Sequence, residues 1–124
     1  MVTKRIKILL IEDNLAYARY VSHFLNDTQA DQWDVKHVQQ IEEALKALDE
    51  EYFDVVLSDL TLPGTDGPEA ILKLKQKSPK TPLVILSAAV DKAAIHRALN
   101  AGATNFLPKD KFSGNRLREI IDCS

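Results

Sequence analysis

Short apolar segments alternate along the chain with longer segments in which apolar residues recur every three or four positions. The short segments are typical of buried strands, and the longer pattern is typical of amphipathic helices. Regular alternation of strand and helix predicts an α/β fold, in which helices cover both faces of a parallel sheet. We predict strands over residues 6–11, 33–38, 54–58, 82–87 and 104–107.

The helices between these strands are predicted from residues that share one helical face. These faces are formed by Ala18, Val21 and Leu25; Ile41, Ala44, Leu45 and Leu48; Ile95, Ala98 and Leu99; and Leu117, Ile120 and Ile121. Asp66 precedes Glu69 by three residues, as in a capping box, and Pro68 lies near a first helical position. Gly102 follows the fourth helix, where a C′ glycine is expected.

The predicted strands differ in their hydrophobic patterns, which indicates their places in the sheet. Strands one, three and four are apolar on both faces, as central parallel strands are, whereas residues 33–38 alternate and suit an edge. A chain of 124 residues is long enough for one domain with a core, so we expect residues 1–124 to form a single domain. Because the chain ends after the fifth helix, no output domain is expected within it.

Composition and charge exclude several classes of function. A net charge of −2 gives no electrostatic footprint for nucleic acid, and no segment has the length of a membrane span or the character of a signal peptide. The chain has one cysteine, Cys123, so no internal disulfide can form. We therefore expect a cytoplasmic globular protein with no direct nucleic-acid partner and no membrane partner.

Three carboxylates stand where two predicted strands end. Glu12 and Asp13 end the first apolar run, and Asp59 ends the third. If these strands are parallel neighbours, the three groups meet at one edge of the sheet, where like charges resist ionising together. A hard divalent cation with oxygen ligands would hold them, so the sequence predicts a Mg²⁺ site, with Mn²⁺ as an alternative ion.

A hydroxyl and an ammonium group are predicted at the same edge. Ser87 ends strand four and Lys109 follows strand five. Each group alone has an ordinary explanation as a strand-end hydroxyl, a surface lysine, a helix start or a turn aspartate. Together they predict a phosphoryl acceptor, because a carboxylate can attack phosphorus to give an acyl phosphate and the transfer requires positioning and neutralised charge.

Four segments resemble the receiver domains of two-component response regulators, in that family's order and spacing. They are KILLIEDN, DVVLSDLTLPGTDG, PLVILSAA and GATNFLPKD, and the resemblance covers essentially the whole chain. It implies a doubly wound, flavodoxin-like sheet of five strands in the order 2-1-3-4-5. The implied site residues are Asp59 as phosphoacceptor, Glu12, Asp13, Asp59 and the carbonyl of Thr61 as metal ligands, Lys109 and Ser87 as catalytic groups, and Ser87 and Phe106 as the switch pair.

The resemblance also implies a function. A sensor histidine kinase or a histidine phosphotransfer protein would phosphorylate Asp59 in a magnesium-dependent reaction. Phosphorylation would then switch the face built by the fourth helix, fifth strand and fifth helix, which would regulate a downstream protein or output domain. Weak self-association through this face is left open, and no enzymatic activity is expected beyond self-catalysed phosphotransfer and dephosphorylation.

The sequence departs from the family at one notable position. The family usually has proline directly after the lysine, through a cis peptide, whereas Asp110 follows Lys109 here. The cis bond is therefore not carried over, because cis peptides are rare without proline. His23, His37 and His96 are predicted to lie away from the site edge.

Three alternative functions remain open from the sequence. A haloacid-dehalogenase-type phosphatase would have an acidic residue at the position of Thr61, and its acidic metal ligands would lie late in the chain, whereas the acidic pair here lies early. A phosphorylation-independent module on the same fold would not need its acidic cluster intact. A flavin-binding protein would have more hydroxyls and glycines in its loops than this chain has.

Overall fold

The computed structural model describes residues 5–26, 32–59, 67–87, 92–111 and 114–122. Strands and helices alternate along these residues, as the sequence predicts. The elements are β1 (Arg5–Ile11), α1 (Leu15–Asn26), β2 (Gln32–Val38), α2 (Ile41–Glu50), β3 (Val55–Asp59), α3 (Gly67–Lys77), β4 (Leu83–Ser87), α4 (Lys92–Ala101), β5 (Asn105–Pro108), a 3-10 turn (Lys109–Lys111) and α5 (Gly114–Asp122).

The strands form one parallel sheet in the order β2-β1-β3-β4-β5. This confirms the predicted fold class and strand order, and it places β2 at an edge of the sheet. From β1 the chain adds β2 on one side of the sheet and then β3 on the other side of β1, so the carboxyl ends of the parallel neighbours β1 and β3 lie side by side where the order of strands reverses. That position is the topological switch point at which open α/β sheets bind ligands.

Apolar side chains on the two faces of the sheet form two cores. In β1, Leu9 and Ile11 face one core, while Ile8 and Leu10 face the other. Helices α2, α3 and α4 cover the first face, and α1 and α5 cover the second. The four β1 residues are completely buried, which explains why this central strand is a continuous apolar run and not an alternating one.

Two strands begin and end one residue later than predicted. Strand β3 begins at Val55, one residue after Asp54. The carboxylate of Asp54 accepts a hydrogen bond from the backbone N–H of Lys7 at 2.8 Å. The strand then extends to Asp59, which is paired with Leu86 and is not in a following turn. Strand β5 similarly runs to Pro108, so Lys109 directly follows it.

Helix α4 ends at a glycine, as predicted. Gly102 has a φ of +127°, and the N–H groups of Gly102 and Ala103 donate to the carbonyls of Leu99 and Ala98, the paired bonds of a Schellman motif. The predicted apolar face of this helix is only partly buried. Ala98 is fully buried, whereas Leu99 is 36% exposed.

Some predictions fall outside the described residues. They concern Thr61, the capping residue Asp66 and the cysteine at position 123. The described peptide bonds are all trans, including the bond between Lys109 and Asp110. Among the described helices, none combines the length and the apolar character that crossing a membrane requires.

Candidate functional site

Three carboxylates meet at the carboxyl edge of the sheet, beside the switch point. Glu12, Asp13 and Asp59 each offer an oxygen, and these oxygens lie within 4.8 Å of one another. Glu12 is completely buried, Asp13 is exposed, and the side chain of Asp59 is 10% exposed. The cluster therefore extends from the interior of the protein to its surface.

The backbone around Glu12 is held by the neighbouring strand and by the start of α1. The N–H of Glu12 donates to the carbonyl of Val38 at 3.0 Å, so the pairing with the end of β2 continues one residue beyond the last residue of β1. The Oε1 atom of Glu12 accepts a hydrogen bond from the N–H of Asn14 at 3.1 Å. Asn14 in turn caps α1, because its Oδ1 accepts from the N–H of Tyr17 at 3.1 Å.

The prediction that every histidine lies away from this edge is wrong for His37. Its Nε2 lies 2.7 Å from the carbonyl oxygen of Glu12, and since a carbonyl can only accept, Nε2 is the donor. His37 pairs in register with Leu10 near the carboxyl end of β2, and this end lies at the same edge as the carboxylates. Its position in the predicted strand 33–38 was the signal that could have revealed this contact.

Lys109 brings a single positive charge to two of the three carboxylates. Its Nζ lies 2.8 Å from Oε2 of Glu12 and donates a hydrogen bond to Oδ2 of Asp59 at 3.2 Å. The contact with Glu12 is an ion pair, and within the described part of the chain Lys109 is the cation that Oε2 of Glu12 faces. The Lys109 side chain is only 15% exposed, so water screens these interactions weakly.

The pKa values at the site reflect burial and crowded charge. Burial raises the pKa of Glu12, and the negative charge of Asp59 raises it further, while the contact with Lys109 opposes both effects. Burial by itself would lower the pKa of Lys109, but its contacts with Glu12 and Asp59 raise that pKa overall. Lys109 is therefore cationic at neutral pH, and its one ammonium group contacts two of the three carboxylates.

The donor set fits a small, hard cation. Oε2 of Glu12 is buried, has the ammonium of Lys109 as its ion-pair partner at 2.8 Å and belongs to the acidic cluster. Two ligands on opposite sides of Mg²⁺ are about 4.2 Å apart. Neighbouring ligands of such an ion are about 3 Å apart. The cluster oxygens all lie within 4.8 Å of one another, so rotation of these side chains could bring them onto one ion. Oxygen-only ligands also suit Mg²⁺ or Mn²⁺ better than a soft metal.

The other predicted site residues lie on β4 and β5 or outside the described residues. Ser87 is buried at the last position of β4 and pairs with Pro108, directly before Lys109. Phe106 is half-buried in β5 and packs against the core on the α2–α3–α4 side of the sheet. The structure thus places Ser87 on the strand adjacent to Asp59, whereas Thr61 is outside the described residues.

Tyr17 is a contact of the site that sequence reasoning missed. Its hydroxyl donates to the backbone carbonyl of Lys109 at 3.1 Å, and the Nζ of Lys109 lies 4.7 Å from the centroid of its ring. The two residues are separated by 92 positions along the chain. No local motif marks this pairing, which depends on how α1 packs beside the end of β5.

Comparison with known proteins gives relatives of different lengths. The chain is 28% identical over 120 residues to chemotaxis protein CheY of Listeria monocytogenes, covering 94% of this chain and 96% of that protein. It is 33% identical over 98 residues to protein-glutamate methylesterase/protein-glutamine glutaminase 2 of Paramagnetospirillum magneticum, covering 79% of this chain but 27% of that protein. Against three of its curated relatives, including this methylesterase, the chain spans between 20% and 45% of their length.

A solved structure and a family model match nearly all of the chain. The receiver domain of sensor histidine kinase PA1611 from Pseudomonas aeruginosa PAO1, solved with a magnesium ion coordinated in the active site cleft, superposes with a TM-score of 0.79. The two chains are 24% identical, and the match covers 97% of each. The model of the response regulator receiver domain matches residues 8–122. This chain therefore belongs to the response regulator receiver domain family, and its site is an acidic pocket at the carboxyl edge of the sheet.

Proposed function

We propose that this protein accepts a phosphoryl group on Asp59 in a magnesium-dependent reaction and relays the event to a downstream partner. The donor is a phosphohistidine on a sensor histidine kinase or a histidine phosphotransfer protein. The observation that carries the proposal is the ion pair between Asp59 and Lys109, 3.2 Å long, beside two further carboxylates at the switch point. This arrangement provides a nucleophile, a cation for the incoming oxygens and a set of metal ligands.

The reaction forms one bond and breaks one. A carboxylate oxygen of Asp59 forms a bond to phosphorus, while the bond between phosphorus and the donor's imidazole nitrogen breaks. The electron pair of the broken bond remains on that nitrogen. Because the phosphorylated imidazole carries a proton on its other ring nitrogen when it reacts, the products are an acyl phosphate on Asp59 and a neutral histidine on the donor. Hydrolysis of the acyl phosphate would later return the carboxylate and inorganic phosphate.

The residues of the chain have distinct parts in this reaction. Lys109 is already within hydrogen-bond distance of the accepting carboxylate, so its ammonium lies next to the position where phosphoryl oxygens arrive. Ser87, at the end of the adjacent strand, would donate a hydrogen bond to the new oxygens. Glu12, Asp13, Asp59 and the carbonyl of Thr61 would hold Mg²⁺, which when bound supplies the positive charge that phosphoryl transfer requires.

Labelling of Asp59 tests the proposal directly. With magnesium and a small acyl phosphate, we expect the wild type to acquire a label that is stable in acid and labile in base, and Asp59→Asn to remain unlabelled. Asp54→Asn is the matched control, because Asp54 precedes the same strand at its opposite end and holds the backbone of Lys7. Equal labelling of Asp59→Asn and wild type on intact-mass analysis would disprove the acceptor. Absence of label on the wild type would favour a phosphorylation-independent module.

The relay is proposed to act through the face formed by α4, β5 and α5. Ser87 and Phe106 lie on the adjacent strands β4 and β5, and Leu99 of α4 is partly exposed. Phosphorylation would shift an existing equilibrium between two arrangements of the face. Amide hydrogen exchange should therefore change in α4, β5 and α5 after phosphorylation. A change confined to the surroundings of Asp59 would rule out this route.

Several further properties belong to the same proposal. Residues 1–124 would form one receiver domain, in agreement with the single sheet and with the family match over residues 8–122. It would catalyse only its own phosphorylation and dephosphorylation, in the cytoplasm, where a chain with one cysteine needs no disulfide. Its output would be a downstream protein or an attached domain, and weak self-association through the α4–β5–α5 face would be compatible with that output.

A further inference from the structure

The side chain of Tyr17 contacts Lys109 at two points. Its hydroxyl donates a hydrogen bond to the backbone carbonyl of Lys109 at 3.1 Å. The face of its ring lies beneath the ammonium group, with Nζ 4.7 Å from the ring centroid, which is within the range of a cation–π interaction. One residue of α1 thus holds both the backbone and the charged end of Lys109.

Tyr17 is itself well positioned to hold this lysine. Its N–H is bound by the capping side chain of Asn14 at 3.1 Å, which fixes its place in the first turn of α1. On its other side, its ring packs against Tyr20 at 5.6 Å between centroids, and Tyr20 packs against Phe24 at 6.0 Å. Burial raises the pKa of the Tyr17 hydroxyl, which therefore remains a protonated donor at neutral pH.

A lysine needs such support when its exact position matters. The ammonium group is carried by four flexible methylene groups, so its position is poorly defined unless neighbouring groups restrict it. Glu12 and Asp59 attract Nζ on one side, and the ring of Tyr17 lies against it on another. The ring therefore keeps the ammonium between the two carboxylates, beside the atom that the proposed reaction modifies.

We propose that Tyr17 is a positioning residue for Lys109 in phosphoryl acceptance. The inference depends on the proposed function, because it concerns the rate at which Asp59 is phosphorylated. Tyr17 would not touch the phosphoryl group or the metal. It would act through Lys109, with the ring fixing the ammonium group and the hydroxyl fixing the backbone from which the side chain begins.

Two substitutions separate the two contacts. Tyr17→Leu removes both the ring and the hydroxyl, whereas Tyr17→Phe removes only the hydroxyl and keeps the cation–π partner. With a small acyl phosphate and saturating magnesium, we expect Tyr17→Leu to be phosphorylated roughly threefold to tenfold more slowly than the wild type, which is the scale of a partly buried cation–π contact. Tyr17→Phe should be affected less. Tyr52→Leu, at an aromatic residue that is 73% exposed, is the control and should match the wild type.

Two readouts distinguish positioning from a general loss of structure. In the Lys109→Ala variant, labelling should be followed for long enough to measure its slow residual rate. Adding Tyr17→Leu to this variant should not lower that rate further. In NMR spectra, the ε-methylene protons of Lys109 should lose their ring-current shift in Tyr17→Leu and retain it in Tyr17→Phe. Urea unfolding would verify that each variant is folded under the labelling conditions.

The outcomes separate this inference from the proposed function. If the wild type takes no label, the proposed function fails. If the wild type is labelled and Tyr17→Leu is labelled at the same rate, the positioning role is refuted while the function stands. An equal loss of rate in the presence and absence of Lys109 would also refute it, because Tyr17 would then act by another route.

Discussion

Replacing the charge of Asp59 should stabilise the protein when no metal is bound. Asp59 lies within 4.8 Å of two other carboxylates, measured between their potential ligand oxygens, and 3.2 Å from the ammonium of Lys109. At an effective dielectric constant of about 20, each repulsion is about 3.5 kcal/mol and the attraction is about 5 kcal/mol. The two repulsions together exceed the attraction by about 2 kcal/mol, which falls to about 0.5 kcal/mol if the site is screened as in water.

Asp59→Asn removes these charge interactions while it retains most of the local packing. The amide oxygen can still accept the hydrogen bond that Lys109 donates, and Lys109 keeps its ion pair with Glu12. We therefore expect the free energy of unfolding of the metal-free protein to rise by roughly 0.5–2 kcal/mol. Asp13→Ala should change stability in the same direction, since it also relieves repulsion within the cluster.

Magnesium should reverse the order of stability. A ligand that binds only the folded state at a hundred times its Kd stabilises that state by about 2.7 kcal/mol, so the wild type should gain this amount and Asp59→Asn much less. Urea unfolding at neutral pH, with magnesium or with a chelator, measures both quantities. The only tryptophan, Trp33, is half-buried beside the α1–α5 core and provides the fluorescence signal.

Asp54→Asn provides the control for the magnesium effect. Asp54 immediately precedes β3 at the end opposite the cluster, so magnesium should stabilise this variant as much as the wild type. The reasoning would be refuted if Asp59→Asn were less stable than the wild type without metal and gained as much from magnesium. The carboxylates would then contribute to the stability of the fold, and the cluster would not be a metal-seeking site.

Three further predictions follow from other contacts. Lys109→Ala should still bind magnesium, unlike Asp13→Ala, but should accept the phosphoryl group poorly; a comparable loss of metal affinity in calorimetry would contradict this division of roles. Glu51 accepts hydrogen bonds from Lys36, which has the larger effect, and from Lys7, and together they lower its pKa from 4.5 to about 2. The stability that Glu51 provides should therefore be lost as the pH falls from about 4.5 toward 2. Glu51→Gln should lack this part of the acid transition in a pH series of unfolding curves. Gly102→Ala should cost about 1–3 kcal/mol in urea unfolding, because φ is +127° and an added Cβ would lie 3.0 Å from a side-chain carbon of α3.

The sequence was sufficient to predict which carboxylates converge. Strand ends in a parallel sheet share one edge, so an apolar run that ends in Glu12 and Asp13 and another that ends in Asp59 place three carboxylates together once the strands are neighbours. The apolar periodicity also predicted α1, α2, α4 and α5, whereas α3 was predicted from the residues expected at its start. Both predictions depend on the local pattern and on topology, which are the properties that a single sequence records best.

Strand limits were less predictable because single polar contacts determine them. The run that ends at Asp59 was predicted to begin at residue 54, but Asp54 lies outside the strand and binds the backbone of Lys7 with its carboxylate. The N–H of Asp54 also donates to the carbonyl of Lys7, at 2.8 Å. No hydrophobic pattern distinguishes an aspartate that begins a strand from one that immediately precedes it.

The contacts around Lys109 and Glu12 could not be predicted because they depend on how elements distant in sequence are oriented. In the sequence, nothing distinguishes Tyr17 from the other residues of an amphipathic helix. The rotation of α1 about its axis directs the ring of Tyr17 toward Lys109, 92 positions later. His37 was predicted to lie away from the site, yet the register of β2 against β1 brings its Nε2 to the carbonyl of Glu12. Periodicity identifies the buried face of a helix or strand, but a contact at its margin requires the rotation and register of both partners. The residues that position the reactive groups are therefore harder to read from one sequence than the reactive groups themselves.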